Sequence, residues 1–138
     1  MILLDTSVLS EAFRRHRREG PSATAIHLTR LIRNRVDKAV PGIVLQELLT
    51  GVPDPERFDA LRKDIEALGI IPATGEDHAL AAQFSTRCRA RGVAATAVDC
   101  LIAAQTVRLH ARLYTLDRDF ARMAPVCDLS LYRPGPAQ

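Results

Sequence analysis

Three consecutive apolar residues near the start of the chain, Ile2, Leu3 and Leu4, run without interruption into a carboxylate, Asp5. A strand of this kind is apolar on both faces, and such strands belong to parallel sheets covered by helices on each side. That feature turns the chain away from all-helical bundles and one-face-wet antiparallel sheets. It also puts Asp5 at the carboxyl end of a strand, the edge at which open α/β sheets bind ligands. Taken alone, Asp5 has a second reading as the N-cap of a helix beginning at Thr6.

The same alternation recurs downstream. Short strands are expected at residues 39–40, 69–72 and 111–115, with residues 129–131 as a candidate fifth. Ser22 opens a helix whose apolar stripe is Ala25, Ile26, Leu28, Leu31 and Ile32. Pro41-Gly42 reads as a break before a helix over residues 43–50, which stops at Gly51. Pro55 opens the next helix, which turns Phe58, Leu61, Ile65 and Leu68 inward and forms a helical hairpin with its predecessor. Further helices start at Thr74 and Thr96, and a short one spans residues 118–123. Strands alternating with helices predict one α/β domain over residues 1–133, followed by a disordered tail at 134–138.

A chain of 138 residues buries a core without staples. Cys88, Cys100 and Cys127 are odd in number and lack metal-ligand spacing, so they are expected as buried reduced thiols. No apolar run is long enough to span a bilayer, and the amino-terminal one ends too soon for a signal peptide, so the expectation is a cytoplasmic protein. Of 19 Lys plus Arg residues, only Lys38 and Lys63 are lysine. Guanidinium groups bind phosphate bidentately, so the cluster Arg14, Arg15, Arg17 and Arg18 is a candidate nucleic-acid contact. A solvated helix face explains it equally well.

Four acids stand at strand ends or helix starts. Glu47 lies among apolar neighbours in a helix that reads as largely buried, where a lone carboxylate is costly unless paired or metal-bound. Asp99 follows Thr96 by three residues in a capping box, yet the helix it opens is apolar all round, so its first turn faces the interior or a cleft. Asp117, with Asp119 close by, follows the last long strand. Two carboxylates about 4 Å apart repel by about 4 kcal/mol at an effective dielectric near 20, so convergence calls for a cation. Oxygen ligands without His or Cys select a hard ion, Mg²⁺ or Mn²⁺. Such a site suits in-line displacement at a phosphodiester, which makes nucleic acid the expected substrate.

The segments Leu4-Asp5-Thr-Ser-Val-Leu9, Gln46-Glu47-Leu-Leu-Thr-Gly51, Val98-Asp99-Cys-Leu-Ile-Ala-Ala104 and Tyr114-Thr115-Leu-Asp117-Arg-Asp-Phe120 resemble the four acidic motifs of the PIN domain. Within it the chain is most similar to the VapC toxins of VapBC toxin–antitoxin systems. The resemblance implies a three-layer α/β/α fold with a short, mainly parallel sheet of four to five strands. It implies a Mg²⁺-dependent endoribonuclease leaving 5′-phosphate and 3′-hydroxyl ends, a homodimer, and a cognate VapB antitoxin whose tail enters the active-site groove. Asp5, Glu47, Asp99 and Asp117 then take the metal-ligand roles, with Asp119 as the alternate to Asp117 and with Thr6 and Thr115 as supporting hydroxyls.

Other classes fit less well. A haloacid-dehalogenase-type phosphotransferase wants a second Asp two residues after Asp5, where this chain has Ser7. A receiver domain needs a lysine near its end, and both Lys38 and Lys63 lie too early. The remaining alternative is a PIN-fold module that binds nucleic acid or a partner without catalysis.

Overall fold

The computed structural model describes residues 1–13 and 19–135. Strands and helices alternate as β1 (Ile2–Leu4), α1 (Thr6–Ala12), α2 (Ala23–Arg33), β2 (Lys38–Pro41), α3 (Gly42–Leu49), α4 (Pro55–Glu66), β3 (Ile70–Ile71), α5 (Gly75–Ala90), α6 (Ala97–Arg108), β4 (Arg112–Tyr114) and α7 (Asp119–Cys127). The strands form one parallel sheet in the order β3-β2-β1-β4. Leu3 of β1 stands between Ala39 of β2 and Leu113 of β4.

This order decides where a site can form. The chain steps from β1 to β2 to β3, then returns past β1 to β4. Right-handed crossovers that reverse direction lay their helices on opposite faces. The packing agrees, since α1 lies on α2 and α3, and α3 on α4, whereas α5 lies on α6 and α7. The result is the expected three-layer α/β/α architecture. Leu3 and Leu4 point to opposite faces and are both fully buried. Each stabilises the fold by about 1.5–3 kcal/mol through its burial. The connections after β1 and β4 leave toward different faces, so a crevice opens between the carboxyl ends of these two strands.

Local chemistry explains most boundaries. The Ser22 hydroxyl caps α2 by accepting from the Ala25 amide, and the Asp54 carboxylate caps α4 just before Pro55. Thr74 with Asp77, and Thr96 with Asp99, form complete capping boxes at the starts of α5 and α6. Gly51 takes φ +84, a left-handed conformation that ends α3 at little cost only because it is glycine. Cys88, Cys100 and Cys127 are buried free thiols in the α5–α7 layer. Among the described residues, no helix is long and apolar enough to cross a membrane.

Five expectations need correction. The fifth strand contracts to a single bridge between Leu113 and Leu131, because Asp128 at φ 54 turns the chain just before it and Pro134 soon removes a donor. Pro41-Gly42 is no break, since β2 ends at Pro41 and α3 begins at the next residue. The last helix runs to Cys127 with Pro125 inside it. Burial of Phe120, Met123 and Cys127 along one face outweighs the usual interior-proline cost of about 3 kcal/mol. In α2 only Leu28 and Leu31 of the apolar stripe are buried, while Ile26 and Ile32 stay exposed. The α3–α4 hairpin is peripheral: Val44 and Ile65 alone are fully buried in it, and Glu47 is exposed. The expected tail falls partly on residues 136–138, outside the described residues.

Candidate active site

The crevice at the ends of β1 and β4 is built around Asp5, which is buried to 4% exposure. It occupies the N-cap position of α1 with φ −83 and ψ 161, yet its side chain makes no capping hydrogen bond. Instead Oδ2 accepts from two hydroxyls, Ser7 Oγ at 2.8 Å and Thr115 Oγ1 at 2.7 Å. Each hydroxyl also accepts a backbone amide from the loop after β4, Leu116 N on Ser7 at 2.9 Å and Asp117 N on Thr115 at 3.0 Å. The two side chains therefore bind the first loop to the last and fix one oxygen of Asp5. The other oxygen, Oδ1, accepts no hydrogen bond from any described residue.

Glu47 reaches this edge from α3, where its Oε1 accepts the Thr6 hydroxyl at 2.8 Å. Asp99 arrives from the first turn of α6, with Oδ2 accepting the Thr96 amide at 3.2 Å. Its capping role and its presence in the crevice coexist. The Asp99 carboxyl is held above the usual carboxylate range, first by burial and also by the charges of Asp117 and Asp5, against the pull of the Thr96 amide and hydroxyl. Charges at the ends of β1 and β4 thus act on the acid at the start of α6. Asp119 differs, because its carboxylate pairs with Arg122 at 2.8 Å and its amide donates to Asp117 Oδ1 at 2.9 Å.

Of the residues singled out by sequence, the structure brings Asp5 and Asp117 within electrostatic reach of Asp99, places Thr115 on Asp5, and links Glu47 to the edge through Thr6. Arg14, Arg15, Arg17 and Arg18 lie outside the described residues. Ser7 is the residue that sequence reasoning missed. The available signal was two hydroxyl residues directly after a strand-end acid.

The donor set is all oxygen, which fits a hard divalent ion. Among the described residues no three His, Cys, Asp or Glu side chains stand as a ready-made cage. This is an ordinary condition for Mg²⁺, which binds through one or two carboxylates and keeps several waters.

Asp99→Asn is expected to stabilise the metal-free fold at pH 7 by up to about 1 kcal/mol, allowing for solvent screening at a half-buried group. The sign follows from the raised folded-state value: the ionised carboxylate costs stability above it, and the cost disappears as pH falls toward about 3.9, the unfolded value. Melting curves of both proteins in EDTA at pH 7 and pH 4 measure this. A gain of equal size at both pH values would show that charge is not the cause.

The family pattern described as the PIN domain matches residues 2–125. The chain belongs to the PIN domain family. Solved structures extend the likeness of this PIN domain to nearly its full length. VapBC2 from Rickettsia felis, bound to a promoter DNA fragment, is 25% identical with a TM-score of 0.76, over 96% of this chain and 98% of that one. FitAcB from Neisseria gonorrhoeae is 24% identical with a TM-score of 0.75, over 96% and 97%. VapC20 from Mycobacterium tuberculosis, a toxin that cleaves the sarcin–ricin loop, shares the fold at 18% identity and a TM-score of 0.66, over 88% and 94%.

Proposed function

We propose that this PIN domain is the toxin of a VapBC-type toxin–antitoxin pair and hydrolyses RNA phosphodiester bonds with Mg²⁺, for which Mn²⁺ can substitute. The observation that carries the reading is the arrangement at the strand ends, where Asp5, held through Oδ2 by Ser7 and Thr115, keeps Oδ1 open beside the loop of Asp117, with Asp99 near enough for both charges to act on it. Carboxylates crowded at a sheet's switch point are costly unless a cation joins them. Family membership and the VapBC2 likeness add support.

A bound divalent ion supplies charge neutralisation on the phosphodiester and activation of water. Asp5 offers Oδ1 to it, since Oδ2 is taken by Ser7 and Thr115. Asp99 offers the oxygen not engaged by the Thr96 amide. Glu47 orients the attacking water and accepts its proton at Oε2, because Oε1 holds the Thr6 hydroxyl. Asp117 completes the acidic wall, and Asp119 is left to Arg122. Arg14, Arg15, Arg17 and Arg18 hold the RNA backbone. The partners are a VapB-type antitoxin and a second copy of the chain.

The test is incubation of the purified chain with a mixed RNA pool in Mg²⁺, in Mn²⁺ and in EDTA. Cleavage is expected with either ion, leaving 5′-phosphate ends, and none is expected in EDTA. Equal cleavage in EDTA would sink the metal-dependent reading. Intact RNA under all three conditions would leave a PIN-fold binding module.

A further inference from the structure

Next to the acids, and sharing Thr115 and Asp117 with them, lies a second concavity of about 550 Å³. It opens between α2, the end of β4, α7 and residues 131–134. Its aromatic wall is His27 and Tyr132, both half-buried, backed by Tyr114, which is 2% exposed, with ring centroids 5.2–5.7 Å apart. His27 Nε2 and Tyr132 Oη share a hydrogen bond of 2.7 Å. The Arg112 guanidinium lies 5.0 Å over the Tyr132 ring, so these rings are held in place before any ligand arrives. Arg118 and Arg133, both exposed, line the same cavity.

Nothing in the cleavage chemistry uses these groups. The volume is that of a pocket for a small organic group. Aromatic side chains with neighbouring arginines are what unstacked bases and their phosphates recognise in single-stranded RNA, where splayed bases enter pockets that a duplex cannot. Continuity through Asp117 puts the occupant directly beside the acidic crevice. A preformed wall lowers the ordering cost of binding.

We propose that this cavity receives one unstacked base of the RNA strand, next to the phosphate that is cut, with Arg118 and Arg133 on the flanking backbone. The inference rests on reading the acidic edge as an RNA-cleaving site. It makes the cavity a determinant of which single-stranded sequence is chosen.

A convenient property allows a direct test. The chain has two tyrosines and no tryptophan, and both tyrosines line this cavity. Intrinsic fluorescence therefore reports on the cavity alone. Short single-stranded RNAs of each base are titrated into the full chain in EDTA, following tyrosine emission and the anisotropy of a labelled strand, and the RNA is recovered afterwards. Saturable quenching is expected, with one base preferred. Tyr132→Ala, checked for folding by circular dichroism, should weaken binding about tenfold or more, while Tyr132→Phe keeps the ring and stays within about threefold. A duplex of the same sequence should compete poorly. Binding that leaves tyrosine emission unchanged, or that is unaffected in a folded Tyr132→Ala protein, overturns the inference. So does quenching by a peptide from the partner antitoxin together with no response to any RNA, which would assign the cavity to protein. Because the readout needs no cleavage, the two readings separate. Loss of the base response with Mg²⁺-dependent cleavage intact removes this inference alone, whereas RNA recovered cut from EDTA removes the catalytic reading.

Discussion

Asp99→Asn will lower RNA cleavage by at least about a hundredfold at saturating Mg²⁺, and Asp5→Asn will do the same. Charge stabilisation by an ion at a phosphodiester is worth several kcal/mol, and each 1.36 kcal/mol is tenfold in rate. Glu47→Gln should cost about 10²–10⁴ in kcat as a lost general base, with the Mg²⁺ requirement unchanged. Ser7→Ala acts one step away, by removing one of the two hydroxyls on Asp5 Oδ2 and freeing the Leu116 amide. It should cost about 10–100-fold and express itself as a higher Mg²⁺ concentration for half-maximal activity, as supporting residues of metal sites do. The measurement is initial rate against Mg²⁺ for the four variants and the parent. If Asp99→Asn cleaves within threefold of the parent, the acids are not the reaction centre.

That Asp5 and its neighbours form a crevice was legible in the sequence to an uneven degree. An apolar triplet ending in an acid fixes a buried strand and a carboxyl edge, and the structure has both. The capping box at Thr96 and the helix start at Thr74 are readable because their hydrogen bonds span only three residues. The N-cap reading of Asp5 was locally just as sound, and its backbone even has cap geometry. What overrides it is a pair of hydroxyl contacts, of which Thr115 stands 110 residues away. No local pattern encodes that partner. The role of Ser7 is hidden for the same reason, since its hydroxyl also meets Thr115 and Leu116 in the loop after β4.

Glu47 shows a different failure. Leu45, Leu48 and Leu49 gave α3 the look of a buried helix, but these side chains are only half-buried and Glu47 faces water. Apolar content shows that a helix packs against something, without showing how many of its sides are covered. An exposed Glu47 needs no partner to balance burial. The case for it as a general base is its tie to Thr6 and its place at the edge, and an accessible carboxylate can pass a proton on to solvent.

A large loss of stability is expected at a carboxylate unconnected with the crevice. Asp77 is fully buried at the start of α5 and accepts Arg108 Nε and Nη2, the latter at 3.0 Å, together with the Thr74 amide at 2.8 Å. It thus joins the first turn of one helix to the last turn of its neighbour. Asp77→Ala should cost about 3 kcal/mol, the lower end for a broken buried pair, because Arg108 keeps 28% of its side-chain surface exposed. A domain of this size has a total of about 5–15 kcal/mol, so the melting temperature should fall by about 10 °C. A double change, Asp77→Leu with Arg108→Met, should recover most of it, since the penalty lies in leaving one charge without the other. Burial is the largest influence on the Asp77 carboxyl and pushes it up, but Arg108 and the Thr74 groups together hold it below the usual range. Its stabilisation is therefore present above the unfolded value of about 3.9 and lost as pH falls through the lower folded value. Acid titration should narrow the gap between Asp77→Ala and the parent from the unfavourable side, just as it removes the advantage of Asp99→Asn. Thermal melts of all three proteins between pH 7 and pH 3.5 measure both. Were Asp77→Ala to melt within about 2 °C of the parent at pH 7, the Asp77–Arg108 pair would contribute little to holding α5 against α6.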